Sequence, residues 1–139
     1  MKVLKFGGTS VADAKCISKV VSIISKESGR NIVVVSALSE VTDILLNAMN
    51  KATKGDNSFL VDIEKLEKKH IQIIKSSIKI SNRTKIISFL KKQLNTLETI
   101  LDGVFMLRET TIKTISKISS FGEILSSNII CEIFKENNL

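Results

Sequence analysis

Apolar and polar positions change rhythm several times along the chain, and each change marks an element. Residues 2–6 (Lys-Val-Leu-Lys-Phe) predict a short strand. Val11, Ala14, Ile17, Val20, Val21 and Ile24 then recur at helical spacing, which predicts a helix over 11–28. Ser10 and Asp13 match a capping box at its start, and Gly29 fits its end. Asn31-Ile32-Val33-Val34-Val35 is a continuous β-branched run of the kind buried on both faces of a parallel sheet. Strand, helix and strand together predict a right-handed βαβ unit.

The remainder reads as helical. A helix is expected from about Val41 to Lys54, ended by Gly55-Asp56-Asn57-Ser58. Leu60, Ile63, Leu66, His70/Ile71, Ile74 and Ile78 predict one apolar stripe; Ile86, Leu90, Leu94, Leu97, Leu101 and Val104 predict another. A break at Ser81-Asn82 joins them into an antiparallel hairpin over about 60–107. A short helix over 109–118, a reset at Ser119–Glu123 and a last helix over 124–135 complete the pattern. Two parallel strands are few for a sheet, so the expectation is an α/β fold that is incomplete: a parallel βαβ unit followed by a mostly helical segment.

Composition narrows the function classes. The formal net charge of +7 raises nucleic-acid binding, but the lysines are dispersed and the six aromatic residues are all phenylalanines, most within apolar patterns. No stacking platform results, and nucleic acid is set aside. No apolar run reaches the ~18 residues of a membrane span, and the strand-like start carries no secretory pattern. No membrane partner and a cytoplasmic protein are therefore expected. Cys16 and Cys131 lie far apart with no nearby histidine, so they are read as small buried hydrophobes and no metal site is assigned. The single histidine, His70, is read as a surface or boundary residue.

Chemistry concentrates where strands end. Lys5-Phe6-Gly7-Gly8-Thr9-Ser10 leaves the first strand toward a helix start. Ligands of open α/β sheets bind at that edge, where free amides and the positive end of a helix favour an anion. Glycine permits close backbone approach, and Lys5 adds a charge. The segment matches neither GxxxxGK[ST] nor GxGxxG; a tight turn capped by Ser10 explains it equally well. Ser36-Ala37-Leu38-Ser39-Glu40-Val41-Thr42-Asp43 leaves the second strand in the same way. Adjacent strands would bring Lys5, two glycines and the hydroxyls of Thr9, Ser10, Ser36, Ser39 and Thr42 to one crevice. Capping by Ser39 and Asp43 accounts for part of that second loop.

Lys5-Phe6-Gly7-Gly8-Thr9-Ser10-Val11 resembles the first signature of the aspartokinases, within the amino acid kinase superfamily. Val34 to Asp43 resembles their second, usually VVSAMSGVTN. Ser119 and Phe121 to Ser127 resemble their third, often SFGERLS. The resemblance covers essentially the whole chain, residues 1–139. It implies the amino-terminal portion of an amino acid kinase domain, with a Rossmann-like three-layer fold and no regulatory domain within these residues. It implies transfer of phosphate from magnesium-ATP to the side-chain carboxylate of L-aspartate, the first step toward lysine, threonine and methionine. That nucleophile is ionised at neutral pH, so no catalytic His or Cys is needed. By resemblance Lys5 neutralises the transferring phosphoryl group. Gly7 and Gly8 supply backbone donors, Thr9 and Ser10 shape the phosphate pocket, and Ser36 and Thr42 hold aspartate. Glu123 holds the substrate's amino end or orients Lys5; read alone, Ser120-Phe121-Gly122-Glu123 is also a capping box. Glu40 stands where the family usually has glycine, and Ile124 where it has arginine; both changes weaken anion binding. A homo-oligomer or a complementing kinase chain is the expected partner. A regulatory or interaction fragment that binds aspartate or an intact kinase chain is the alternative.

Overall fold

The computed structural model describes residues 1–139. Strand β1 (Lys2–Phe6) leads through a 3-10 turn (Gly8–Val11) into helix α1 (Ala14–Ile24) and back to strand β2 (Asn31–Val35). Four helices follow: α2 (Val41–Thr53), α3 (Phe59–Ser77), α4 (Ile80–Leu107) and α5 (Ile112–Glu136). The strands pair in parallel, with Lys2 opposite Asn31 and Phe6 opposite Val35, as the βαβ reading requires. The expected α/β architecture is present, as two parallel strands and a helical majority.

Local chemistry moves several expected boundaries. Asp13, not Ser10, caps α1: its Oδ1 accepts the Cys16 amide at 2.8 Å, and that bond holds its carboxyl below the ordinary carboxylate range. Ser10 belongs to the preceding 3-10 turn. The α3–α4 break falls at Ile78-Lys79, ahead of Ser81, because the Arg83 guanidinium spans it, donating to the carbonyls of Ile78 (2.7 Å) and Lys75 (2.6 Å). The α4 stripe lies in the core along its whole predicted length. On α3 the stripe is rotated: Phe59 and Ile73 are buried and Leu60 is exposed.

Helices α2 to α5 pack into a bundle, and the sheet lies on it through Leu4, Phe6, Val33 and Val35. The expectation of a strand buried on both faces fails. Alternation sends Val3, Ile32 and Val34 to the other face, where they are 65%, 47% and 43% exposed. No helix of this chain covers that face, so β-branching there reflects a surface the chain leaves bare. Cys131 is also exposed rather than buried.

Three polar residues are buried, and two of them, Asp62 and His70, lie on α3. Asp62 on α3 accepts from Lys51 Nζ (2.8 Å) and Asn47 Nδ2 (3.0 Å) of α2, with Lys65 at 3.3 Å. It fastens α2 to α3 through one carboxylate. His70 is fully buried, contrary to its surface reading, because the α3 stripe is rotated. Its Nδ1 lies 2.7 Å from the Leu66 carbonyl, which can only accept, so Nδ1 carries the proton and the partnerless Nε2 is bare. Burial disfavours a second proton most strongly, and Lys69 adds to that, so the imidazole protonates below its usual 6.5 despite the Leu66 bond.

Two outcomes follow for stability. Asp62→Ala orphans two lysines, both able to reach water, and is expected to lose roughly 1–3 kcal/mol in urea denaturation; a loss under about 0.5 kcal/mol contradicts the clamp. The unfolded chain protonates His70 more readily than the folded one, so stability is full above about pH 6.5 and falls below it. His70→Leu is expected to flatten the stability slope between about pH 5 and 6.5, and an unchanged slope would refute the assignment.

Candidate functional site

Parallel pairing brings both strand ends level. The Ser36 amide extends the ladder to the Phe6 carbonyl at 3.0 Å, so the first loop (Gly7–Ser10) and the second (Ser36–Glu40) leave the same sheet edge. They also touch. A Cβ on Gly8 would stand 3.1 Å from the Ala37 carbonyl oxygen, a tight contact that the second loop would have to yield to by a few tenths of an ångström.

The third motif closes on the same point. Gly122 lies inside α5, and a Cβ on it would stand 2.7 Å from the Ala37 Cβ and 3.5 Å from Val41 Cγ1. The predicted reset at Ser119–Glu123 therefore does not occur, and neither does its capping box. A continuous helix instead presents its glycine to the second loop. One and four residues on, Glu123 Oε1 accepts a long 3.4 Å bond from the Ala37 amide, and the buried Ser126 hydroxyl donates to the Ser36 carbonyl at 2.8 Å. Ser126 was not singled out from the sequence as a site residue; its i,i+3 relation to Glu123 was the available signal.

Free amides line this edge. The amides of Gly7, Thr42 and Asp43 donate to no protein acceptor. Those of Thr42 and Asp43 open α2, which has no side-chain cap; Ser39 does not cap it, and Glu40 occupies the cap position. Such amides, with the helix dipole behind them, attract anions. The hydroxyl-bearing residues Thr9, Ser10 and Thr42 are exposed, and Ser36 is half-buried. Gly7 has open space around its Cα.

Lys5 stands apart. It pairs with Val34 on the uncovered face of the sheet, exposed and without an ion pair or side-chain hydrogen bond. Glu123 makes its contact with the Ala37 amide rather than with Lys5. A depression of about 770 Å³ lies elsewhere, along the outward face of α4 between Thr84 and Thr99. Its lining comes from that one helix, and no motif residue contributes.

The Amino acid kinase family matches residues 1–139. The chain is 35% identical over 133 residues to aspartokinase 1, chloroplastic, of Arabidopsis thaliana, covering 91% of this chain and 22% of that protein. It is 32% identical over 143 residues to the bifunctional aspartokinase/homoserine dehydrogenase of Buchnera aphidicola, covering 99% of this chain and 17% of that protein. The chain thus spans about a fifth of these relatives. The E. coli aspartokinase III structure in complex with aspartate and ADP superposes with a TM-score of 0.87 at 21% identity, over all of this chain and 30% of that one, which shows a shared fold.

The close approach at Ala37 is directly testable. Gly122→Ala improves helix propensity by up to about 1 kcal/mol but drives a methyl into Ala37. A net loss of roughly 1–2 kcal/mol is expected from thermal or urea unfolding; a net gain would show that the contact yields freely. Ser126→Ala is expected to cost about 1 kcal/mol by leaving the Ser36 carbonyl short of a donor.

Proposed function

The chain belongs to the amino acid kinase family, and on that premise we propose that it forms the amino-terminal wall of an aspartokinase site. The reaction is transfer of the γ-phosphoryl group of ATP to the side-chain carboxylate of L-aspartate, giving 4-phospho-L-aspartate and ADP. The carboxylate oxygen bonds to phosphorus as the bridge to ADP breaks, and no proton moves. The observation that carries the reading is the convergence of three motif segments on Ala37 beside amides that have no protein acceptor.

The roles are those that the resemblance of the three motifs implies. Gly7 and Gly8 offer backbone donors to phosphate, and Thr9 and Ser10 border them. Ser36 and Thr42 hold aspartate at the second loop. Lys5 supplies the charge that offsets the transferring phosphoryl group, and Glu123 binds the substrate's ammonium while bracing Ala37. No three His, Cys, Asp or Glu side chains cluster to hold a metal. In this reading magnesium arrives on the ATP phosphates, which suits an ion that keeps most of its water. The pathway is biosynthesis of lysine, threonine and methionine, in the cytoplasm; no helix of the chain is long and apolar enough to cross a membrane.

The bare sheet face favours a specific partner. Val3, Ile32 and Val34 surround Lys5 there. In this reading a complementing kinase chain or a second copy covers it and completes the site around Lys5. The same surface also supports a second reading, a non-catalytic subunit that docks on an intact kinase chain.

The test uses hydroxylamine to trap acyl phosphate as the hydroxamate. The purified chain is assayed with L-aspartate and magnesium-ATP, alone and together with an aspartokinase lacking the homologous segment. Hydroxamate is expected from the mixture and is expected to fall about 10²-fold with Lys5→Ala. No product from the mixture, or equal product from the variant, overturns the catalytic reading. Association that survives Lys5→Ala without turnover but is lost in Val34→Lys identifies the docking subunit.

A further inference from the structure

We propose that Lys69 is a positioning residue for the second loop: through Glu40 it holds the left-handed step into α2 and draws that carboxylate away from the anion site. The second half of this inference rests on the functional reading above; the first rests on geometry alone.

Glu40 has φ 67°, in the left-handed region that favours glycine. It occupies the cap position of α2, yet its side chain caps nothing. The residue is therefore disfavoured by its backbone and does not repay that through its own helix. Its carboxylate also lies just before Thr42 and Asp43, whose amides are without protein acceptors. Unrestrained, an acid at that point competes with any phosphate drawn to the helix start.

The carboxylate is turned outward instead. Glu40 Oε2 lies 3.1 Å from Lys69 Nζ on α3. The two ends differ in kind: the Glu40 side chain is 75% exposed and that of Lys69 only 25%. The lysine stem is packed against protein, so its head is a fixed point rather than a roaming charge. Its neighbour His70 is fully buried. Lys69 also borders a depression of about 290 Å³ with Ala12, Asp13 and Lys15, the entry to α1. One lysine thus ties α3 to the second loop beside the exit from the first. Lys51 and Lys65 are engaged by Asp62 and do not share this task.

A four-member comparison tests the coupling: the full chain, Lys69→Ala, Glu40→Gly and the double variant, with Lys69→Arg as the conservative control. Amide hydrogen exchange is read at Val41 and Ile44, whose bonds to Leu38 and Glu40 close the loop onto α2. Lys69→Ala is expected to speed exchange there by about two- to fivefold, the range of an exposed ion pair. Lys69→Arg is expected to restore it. In the Glu40→Gly background Lys69→Ala is expected to change nothing, since neither the strained side chain nor its charge remains. Unchanged exchange in Lys69→Ala, or equal loosening in both backgrounds, overturns the positioning role.

Tripolyphosphate affinity, measured on the same proteins by calorimetry, reads the second half. It is expected to weaken about two- to fivefold in Lys69→Ala and to recover in the double variant. Equal affinity in wild type and Lys69→Ala overturns the electrostatic half. Absence of binding to every form overturns that half together with the functional reading, while the exchange result still decides the loop.

Discussion

Everything at the sheet edge depends on how closely the chain can approach Ala37. Gly8 comes to its carbonyl, Gly122 to its methyl and Glu123 to its amide. Each contact joins a segment far away in sequence; at Gly122 a side chain would collide, and at Gly8 it would be tight. Steric exclusion, more than any single bond, keeps the three motifs in register. Asp62 and the α4 stripe hold the bundle that makes this possible, since α5 must be straight and firmly seated for Gly122 and Ser126 to meet the loop.

Much of the fold was legible because periodicity and burial share a cause. Ile86 to Val104 repeat at helical spacing and are all buried. The two strands and their crossover follow from a β-branched run and a capped helix between them. Legibility stopped where a local signal has two meanings. Ser-Ser-Phe-Gly-Glu reads as a break and a cap, yet Gly122 is a contact point inside one helix. Ser10 and Asp13 both suit a cap, and only Asp13 has the geometry. His70 was misread because a single polar residue within an apolar stripe does not reveal which side of the stripe is innermost.

The site was legible as three segments and not as a geometry. Alternation leaves the direction of Lys5 open, and pairing with Val34 puts it on the bare face. Glu40 stands where the family usually has glycine, and at φ 67° it keeps the left-handed step that glycine favours. Its partner on α3 was invisible, because nothing in the sequence relates position 40 to position 69. The motif residues are thus divided between an edge where three segments meet and an uncovered face that carries Lys5.

The most direct measurement is an amide-resolved magnetic resonance titration of the chain with magnesium-ADP. Convergence of the motifs on one anion-binding edge predicts saturable shifts at Gly7 to Ser10 and Ser36 to Asp43, with smaller ones at Gly122 to Ser126. Shifts that fail to saturate, or that gather on the lysine-bearing outward face of α4, would contradict it.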